Sequence, residues 1–180
     1  SSPSMDILIS SNLERLIYRI AGEDAAKTKE MMDALSADGK YTLTEEMKAQ
    51  LADFVGGWAS EEKTAAEIKR VYDATGYVMD THTAVASAVY KEYKDRTGDE
   101  TKTVIASTAS PYKFSPSVLE AITKETVFGD EYAMVDKLHE LSNLPIPTAL
   151  AELKTKERRF TDCIDKNDLQ SFVLQQLHLV

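Results

Sequence analysis

The chain has 180 residues, of which 43% are hydrophobic, and its 21 basic and 30 acidic side chains give a formal net charge of -9. This length and apolar content suffice for one domain, or for one part of a larger domain, and argue against disorder. The negative charge argues against nucleic acid and anionic membranes as partners.

The sequence predicts neither a membrane segment nor a secretory signal. Apolar runs stay short of the roughly 18 residues that cross a bilayer, and the first residues lack the basic and apolar parts of a signal peptide. The single cysteine, Cys163, allows no internal disulfide. We therefore expect a cytoplasmic protein. Because the first residue is serine, we also expect a piece from the middle of a longer chain.

Helical periodicity dominates the sequence. Apolar residues spaced at i, i+3, i+4 and i+7 predict a helix over residues 13–20, and a second stripe is centred on Met31. The third and fourth helices begin at Thr44 and Ser60, residue types that cap helices, and the third is expected to run to the glycines at 56–57. Later helices are predicted to hold the apolar groups of residues 85–89, 118–122, 135–141 and 169–177.

Two segments predict β-strands. Residues 77–79 (Tyr-Val-Met) are an apolar run after Gly76, and residues 103–107 (Thr-Val-Ile-Ala-Ser) are rich in β-formers. A strand, helix, strand order implies a parallel pair, and two parallel strands do not form a sheet alone. The sequence thus predicts either a helical protein with a vestigial sheet or a part of a sheet whose other strands lie elsewhere in a longer chain.

The first candidate motif covers residues 76–86, which read Gly-Tyr-Val-Met-Asp-Thr-His-Thr-Ala-Val-Ala. It predicts a strand that runs into a helix capped by Asp80 or Thr81, and ligands of open α/β folds bind at such carboxyl ends of strands. The unpaired N–H groups and small side chains at the start of this helix would admit an anionic ligand. An ordinary capped helix packed on a sheet accounts for the same residues.

The second candidate motif covers residues 104–114, which read Val-Ile-Ala-Ser-Thr-Ala-Ser-Pro-Tyr-Lys-Phe. Three hydroxyls, those of Ser107, Thr108 and Ser110, follow a predicted buried strand, where they serve either as turn formers or as ligand contacts. Lys113 is suited to a phosphate or carboxylate, although most lysines are simply solvated. No spacing of histidine, cysteine or acidic residues predicts a metal site.

In their order and spacing the two motifs resemble those of threonine synthases. This family has Gly-Tyr, an acidic residue, His and Ala-Val-Ala, and about twenty residues later a strand ending in a Thr-Ala-Ser-Pro-like sequence before Lys-Phe. Residues 2–7 (Ser-Pro-Ser-Met-Asp-Ile) with 11–16 (Ser-Asn-Leu-Glu-Arg-Leu) resemble a third family segment, which precedes a helical insertion. One departure is Ser110, which stands where many members have histidine, so no role of that histidine carries over.

The resemblance implies the C-terminal part of a helix-rich α/β enzyme of fold type II, the tryptophan-synthase-β-like class, with an incomplete parallel sheet. Residues 1–23 would enter a helix, 24–76 would form the helical insertion, and 77–180 would belong to the domain that binds pyridoxal 5'-phosphate. The family converts O-phospho-L-homoserine and water into L-threonine and phosphate. The resemblance also implies that Thr108, or failing it Ser107, contacts the cofactor's ring nitrogen. Lys113 is then the candidate for the substrate phosphate, and His82 and Thr83 would line the site.

The family's Schiff-base lysine segment (Phe-Lys-Asp) and its glycine-rich phosphate loop have no match in this chain. The resemblance therefore implies no catalytic residue here, an inactive chain in isolation, and a missing N-terminal portion as partner. An exposed sheet surface would also permit self-association. The alternative is a non-catalytic, mostly helical interaction module.

Overall fold

The computed structural model describes residues 7–126 and 128–179. Residues 2–6 of the third resembling segment therefore lie outside the described residues, whereas its second half, residues 11–16, lies in α1. Two 3₁₀ turns, Pro111–Phe114 and Lys166–Asp168, occur in the described part. The α-helices of the described part are α1 Ser11–Ile20, α2 Ala25–Asp38, α3 Glu45–Ala49, α4 Glu61–Thr75, α5 Thr81–Thr97, α6 Ser115–Thr123, α7 Glu131–Ser142, α8 Thr148–Glu152 and α9 Leu169–Gln176.

The helix boundaries follow the capping residues of the sequence. Asp24, Thr44 and Ser60 each accept a hydrogen bond from a backbone N–H of the first turn. Such bonds satisfy donors that the helix leaves unpaired. Gly39 and Gly76 end α2 and α4 with positive φ angles of 71° and 73°, a conformation that glycine adopts without strain.

α3 is shorter than predicted, and this correction has a physical reason. The helix ends at Ala49 instead of continuing to the glycines at 56–57. Phe54 and Val55 are 58% and 55% exposed, so a further turn would have no packed face to stabilise it.

The apolar faces pack in two groups. In the first, Ile17 and Ile20 of α1 contact Met31 of α2 and Met47 of α3. In the second, α4 packs against α5 and α6, and α6 packs against α7. The buried side chains of this second group are Ile68, Ala84, Ala88, Val118, Leu119, Ile122, Val135 and Leu138. α5, which carries the first candidate motif, therefore lies against the helix that precedes it.

The predicted parallel sheet is not present in the described part of the chain. Residues 77–79 and 103–107 form neither strands nor a ladder with one another. Val104, in the predicted strand, is 90% exposed, so apolar packing does not cover it on either face. A strand exists only when a neighbouring backbone takes up its hydrogen bonds, and high β-propensity alone does not supply that neighbour.

The chain divides into two compact units, the first ending at Pro145 and the second beginning at Ile146. The second unit contains α8 and α9, and neither helix has a buried residue. Both candidate motifs lie in the first unit. No helix among the described residues is long and apolar enough to cross a membrane.

Candidate functional site

The start of α5 is fixed by a buried carboxylate. Asp80 is 1% exposed and occupies the N-cap position. The backbone N–H groups of His82 and Thr83 donate to its Oδ1 over 2.9 and 3.1 Å, and the Thr83 hydroxyl donates to its Oδ2. Negative charge at a helix N-terminus is also favoured by the helix dipole. One side chain therefore both begins α5 and orients Thr83.

Thr83 joins the two candidate motifs, which are 24 residues apart. Its hydroxyl oxygen lies 3.1 Å from the hydroxyl oxygen of Ser107. A hydroxyl has one proton, and the carboxylate of Asp80 can only accept. Thr83 therefore gives its proton to Asp80 and accepts the proton of Ser107. The remaining lone pairs of Ser107 are left for another partner, but its proton is engaged.

Aromatic contacts bring a second pair of predicted residues together. The rings of His82 and Phe114 meet edge to face, with centroids 4.8 Å apart and planes inclined by 68°. The Nζ atom of Lys113 lies 5.4 Å from the centroid of the same Phe114 ring, within range of a cation–π interaction. His82 at the start of α5 and Lys113 in the 3₁₀ turn thus share one aromatic neighbour.

The 3₁₀ turn at Pro111–Phe114 is anchored through Tyr112, which is 6% exposed. The Tyr112 hydroxyl donates to the Leu144 carbonyl over 2.6 Å, and burial raises the pKa of this phenol, which keeps it a donor. His139 Nδ1 lies 2.5 Å from the same carbonyl. Since a carbonyl only accepts, that nitrogen carries a proton. The turn that carries Lys113 is therefore tied to the end of the first unit.

A buried carboxylate of α4, Glu67, links α4 to α5. Glu67 is 5% exposed and accepts hydrogen bonds from Arg70 Nε and Nη2, at 2.8 and 2.6 Å, and from the Ser87 hydroxyl at 2.6 Å. The Arg70 hydrogen bonds, assisted by Ser87 and opposed by burial, hold the pKa of Glu67 below its ordinary value. The carboxylate is thus ionised and its three contacts are all charge-assisted.

The cavity beside the first residue of α5 does not suit an anion. It has a volume of about 330 Å³ and is lined by Thr81, Ser117 and the carboxylates of Glu61, Glu62 and Glu120, among others. A phosphate would be repelled by three acidic side chains. No group of three or more histidine, cysteine or acidic residues suited to a metal ion occurs in residues 7–126 and 128–179.

The structure brings together some of the sequence-predicted residues. Thr83 lies against Ser107, and His82 and Lys113 lie on Phe114. Thr108 follows Ser107 and is exposed, and its hydroxyl makes no hydrogen bond within the described part of the chain. The sequence reasoning gave no role to Tyr112 or Glu67. A signal for Glu67 did exist, because a glutamate interrupts the buried face formed by Thr64 and Ile68.

Solved structures define the class of protein to which this fold belongs. The chain superimposes on yeast threonine synthase with a TM-score of 0.74 and 25% identity, covering 99% of this chain and 36% of that one. A pyridoxal-phosphate-bound threonine synthase from Brucella melitensis gives a TM-score of 0.69 and 28% identity, covering 97% of this chain and 33% of that one. The described helices thus have the fold of a part of these enzymes.

Sequence comparisons give the same result. The family model for the C-terminal region of threonine synthase matches residues 83–173. Human threonine synthase-like 1 is 33% identical over 180 residues, covering 97% of this chain and 24% of that protein. The threonine synthase of Methylobacillus glycogenes is 35% identical over 125 residues, covering 68% of this chain and 26% of that protein.

The chain belongs to the threonine synthase family, which confirms the resemblance inferred from the two motifs. It spans about a quarter of the length of these curated relatives. The matched region includes Thr83, Ser107, Thr108 and Lys113, while His82 immediately precedes it.

Proposed function

We propose that this chain is the C-terminal portion of a cytoplasmic threonine synthase that converts O-phospho-L-homoserine and water into L-threonine and phosphate with pyridoxal 5'-phosphate. The observation that carries the proposal is the hydrogen bond between Thr83 and Ser107, since it joins the two family motifs at one place. We include in the proposal that residues 24–76 form a helical insertion and that 77–180 belong to the cofactor domain.

The donor set at this place fits the ring nitrogen of pyridoxal phosphate. Ser107 and Thr108 are both exposed and offer neutral hydroxyls, which do not force that nitrogen to take up a proton. When bound, the cofactor supplies an electron sink for a carbanion formed on the substrate. A hydroxyl beside the ring nitrogen would leave the nitrogen unprotonated and the cofactor a weaker electron sink, whereas a carboxylate would hold the nitrogen protonated.

The proton count favours Thr108 over Ser107 as the contact to the ring nitrogen. The Ser107 proton is engaged by Thr83, so Ser107 can only accept a hydrogen bond from a ligand. The Thr108 hydroxyl still has its proton and can donate to an unprotonated pyridine nitrogen. Ser107 would then hold the segment in place and leave the ligand contact to its neighbour.

The other predicted residues take roles that suit their surroundings. Lys113, exposed and placed on Phe114, would bind the substrate phosphate as a point charge. His82 would support the same ring from the opposite motif, and Thr83 would orient Ser107. None of these side chains forms a covalent bond to a substrate or cofactor. The catalytic lysine would come from the N-terminal portion, and the chain by itself would be inactive.

The exposed segment around Val104 would pack against that N-terminal portion. Val104 is 90% exposed, and an apolar β-forming segment without a partner promotes association. The isolated chain would therefore self-associate, while the chain joined to its upstream portion would not.

The proposal is tested by threonine formation from O-phosphohomoserine in the presence of pyridoxal phosphate. We expect activity from the chain joined to its upstream portion and none from the chain alone. No activity in either case would support the helical interaction module, and activity of the chain alone would place the catalytic lysine within these 180 residues.

Thr108 is tested in the active form by two substitutions. We expect Thr108→Asp to lower the turnover number strongly, because a carboxylate would hold the ring nitrogen protonated, and Thr108→Ser to retain most activity because it keeps the hydroxyl. Thr155→Asp and Thr155→Ser, at an exposed threonine outside both candidate motifs, are the matched controls and should leave activity unchanged. Equal turnover numbers of the two Thr108 variants would refute the assignment.

A further inference from the structure

A buried carboxylate of the predicted insertion contacts the helix that carries the site. Glu67 of α4 lies 2.6 Å from the hydroxyl of Ser87 on α5, and the Arg70 guanidinium holds it in a two-pronged ion pair. Both Glu67 and Ser87 are buried, at 5% and 8% exposure. The roles proposed above for the site use neither residue.

Helix packing alone does not account for a carboxylate at this position. Glu67 lies between Thr64 and Ile68 on the buried face of α4, where an apolar side chain could pack against α5 without desolvating a charge. Only the carboxylate of the pair is buried, since the Arg70 side chain is 51% exposed. Replacing a buried, ion-paired carboxylate by an apolar residue is often neutral or stabilising, so Glu67 is weak evidence for a role in stability. A directed hydrogen bond fixes the rotation and height of a neighbouring helix in a way that apolar contact does not.

Ser87 is well placed to transmit this constraint to the site. It follows Thr83 by four residues, so the two side chains lie on one face of α5, one turn apart. α5 is a continuous helix from Thr81 to Thr97, so a shift at Ser87 moves Thr83 as well. The Thr83–Ser107 oxygen distance of 3.1 Å is already at the long end for hydroxyl pairs, so a small shift would break this bond.

We infer that Glu67 is a positioning residue of the enzyme: through Ser87 it holds α5 where Thr83 stays hydrogen-bonded to Ser107. This inference rests on the proposed function, because it assumes that Ser107 and Thr108 form part of the cofactor site. It assigns to the segment 24–76 a part in the geometry of that site.

The same two helices offer a matched control. Lys63 of α4 forms an ion pair with Glu92 of α5 over 2.5 Å, but the two side chains are 51% and 54% exposed. Exposed pairs of this kind contribute little. Glu92→Gln therefore removes a carboxylate that links the same two helices, at a place where solvent replaces the contact.

The experiment uses the full-length enzyme and the variants Ser87→Ala, Glu67→Gln, the double variant and Glu92→Gln. Turnover is expressed per bound pyridoxal phosphate, so that loss of folded protein does not count as loss of catalysis. We expect Ser87→Ala and Glu67→Gln each to lower kcat about tenfold with little change in KM, because displaced site groups lower the rate of the bound complex. The double variant should be no worse than the poorer single one, and Glu92→Gln should match the parent.

A purely structural role would lower the melting temperature of the Ser87→Ala enzyme while leaving kcat per bound cofactor unchanged, and that result would overturn the inference. If Glu67→Gln fails to fold, Ser87→Ala decides, because it leaves the Glu67–Arg70 pair intact. If the parent makes no threonine, the proposed function fails. Hydrogen exchange at the amides of His82 and Thr83 then decides the positioning role: faster exchange in Ser87→Ala supports it, and unchanged exchange refutes it.

Discussion

The carboxylate of Asp80 holds the first turn of α5, and replacing it should lower the stability of the fold. It accepts three hydrogen bonds, two from backbone N–H groups and one from the Thr83 hydroxyl, in a place that is 1% exposed. Asp80→Ala removes all three at once. Asp80→Asn keeps Oδ1 for both backbone groups, and its amide nitrogen replaces Oδ2 beside Thr83.

The decrease in the free energy of unfolding of Asp80→Ala follows from these contacts. Losing an N-cap acceptor costs about 1 kcal/mol. Leaving a buried hydroxyl without its partner costs about 1–3 kcal/mol, and the lower value applies because Thr83 keeps Ser107. We therefore expect Asp80→Ala to lower the free energy of unfolding by about 2 kcal/mol. Asp80→Asn should lose about 0.3–1 kcal/mol, the contribution of the negative charge at the helix N-terminus.

Urea unfolding followed by circular dichroism measures this difference, provided that the slope of the transition is unchanged. Hydrogen exchange locates it, since the amides of His82 and Thr83 should exchange faster in Asp80→Ala than in Asp80→Asn. If the two variants unfold at the same urea concentration, the side-chain hydrogen bonds of Asp80 contribute nothing and the reasoning fails.

Two further predictions concern the packing of α5 and the pH dependence of its C-terminal end. Gly57→Ala should lower the free energy of unfolding by about 1–3 kcal/mol, because the new Cβ would lie 2.5 Å from Val89 Cγ1. The control Gly56→Ala should not be destabilised, because no atom lies within 4 Å of its new Cβ. Equal urea midpoints of the two variants would contradict this prediction. Hydrogen bonds from the side chain and backbone of Thr101, and then from Tyr93, lower the pKa of Asp99 from 3.8 to about 2. Because the folded-state pKa is depressed, its stabilising contribution is complete above 3.8 and is lost as the pH falls through about 2. The urea midpoints of the parent and Asp99→Asn should converge between those values, and a constant difference would refute the shift.

Local features of the fold could be read from the sequence. The predicted caps at Thr44 and Ser60 are confirmed, and of the two candidates for α5, Asp80 and Thr81, Asp80 is the cap. Such caps are local, since a side-chain oxygen reaches the N–H groups of the next two or three residues whatever the rest of the chain does. α8 was missed because its five residues carry too few apolar positions to show a period.

Features that depend on distant partners were not predictable in the same way. The prediction of a strand at 103–107 was wrong, because a segment of high β-propensity forms a strand only where another strand lies beside it. The hydrogen bond between Thr83 and Ser107 and the one between Ser87 and Glu67 join residues 24 and 20 positions apart, which no local pattern indicates. The resemblance to threonine synthases predicted that the two motifs belong to one site, but it gave no indication of the Glu67 carboxylate.

The Asp80→Asn substitution separates the stability of the site from the direction of its hydrogen bonds. In the parent, Thr83 donates to the carboxylate and accepts from Ser107. With asparagine, the amide N–H donates to Thr83, and the Thr83 proton turns to Ser107, because a hydroxyl rotates to suit its partners. The Ser107 hydroxyl then no longer donates to Thr83, and its proton can be donated to another acceptor. The variant should fold almost as well as the parent, yet it offers a ligand a second hydroxyl donor beside Thr108. If the ring nitrogen is held as proposed, this exchange should change the absorption spectrum of the bound cofactor, whereas Asp73→Asn, at an exposed carboxylate on α4, should not. An identical spectrum in Asp80→Asn would show that the proton of Ser107 does not matter to the cofactor.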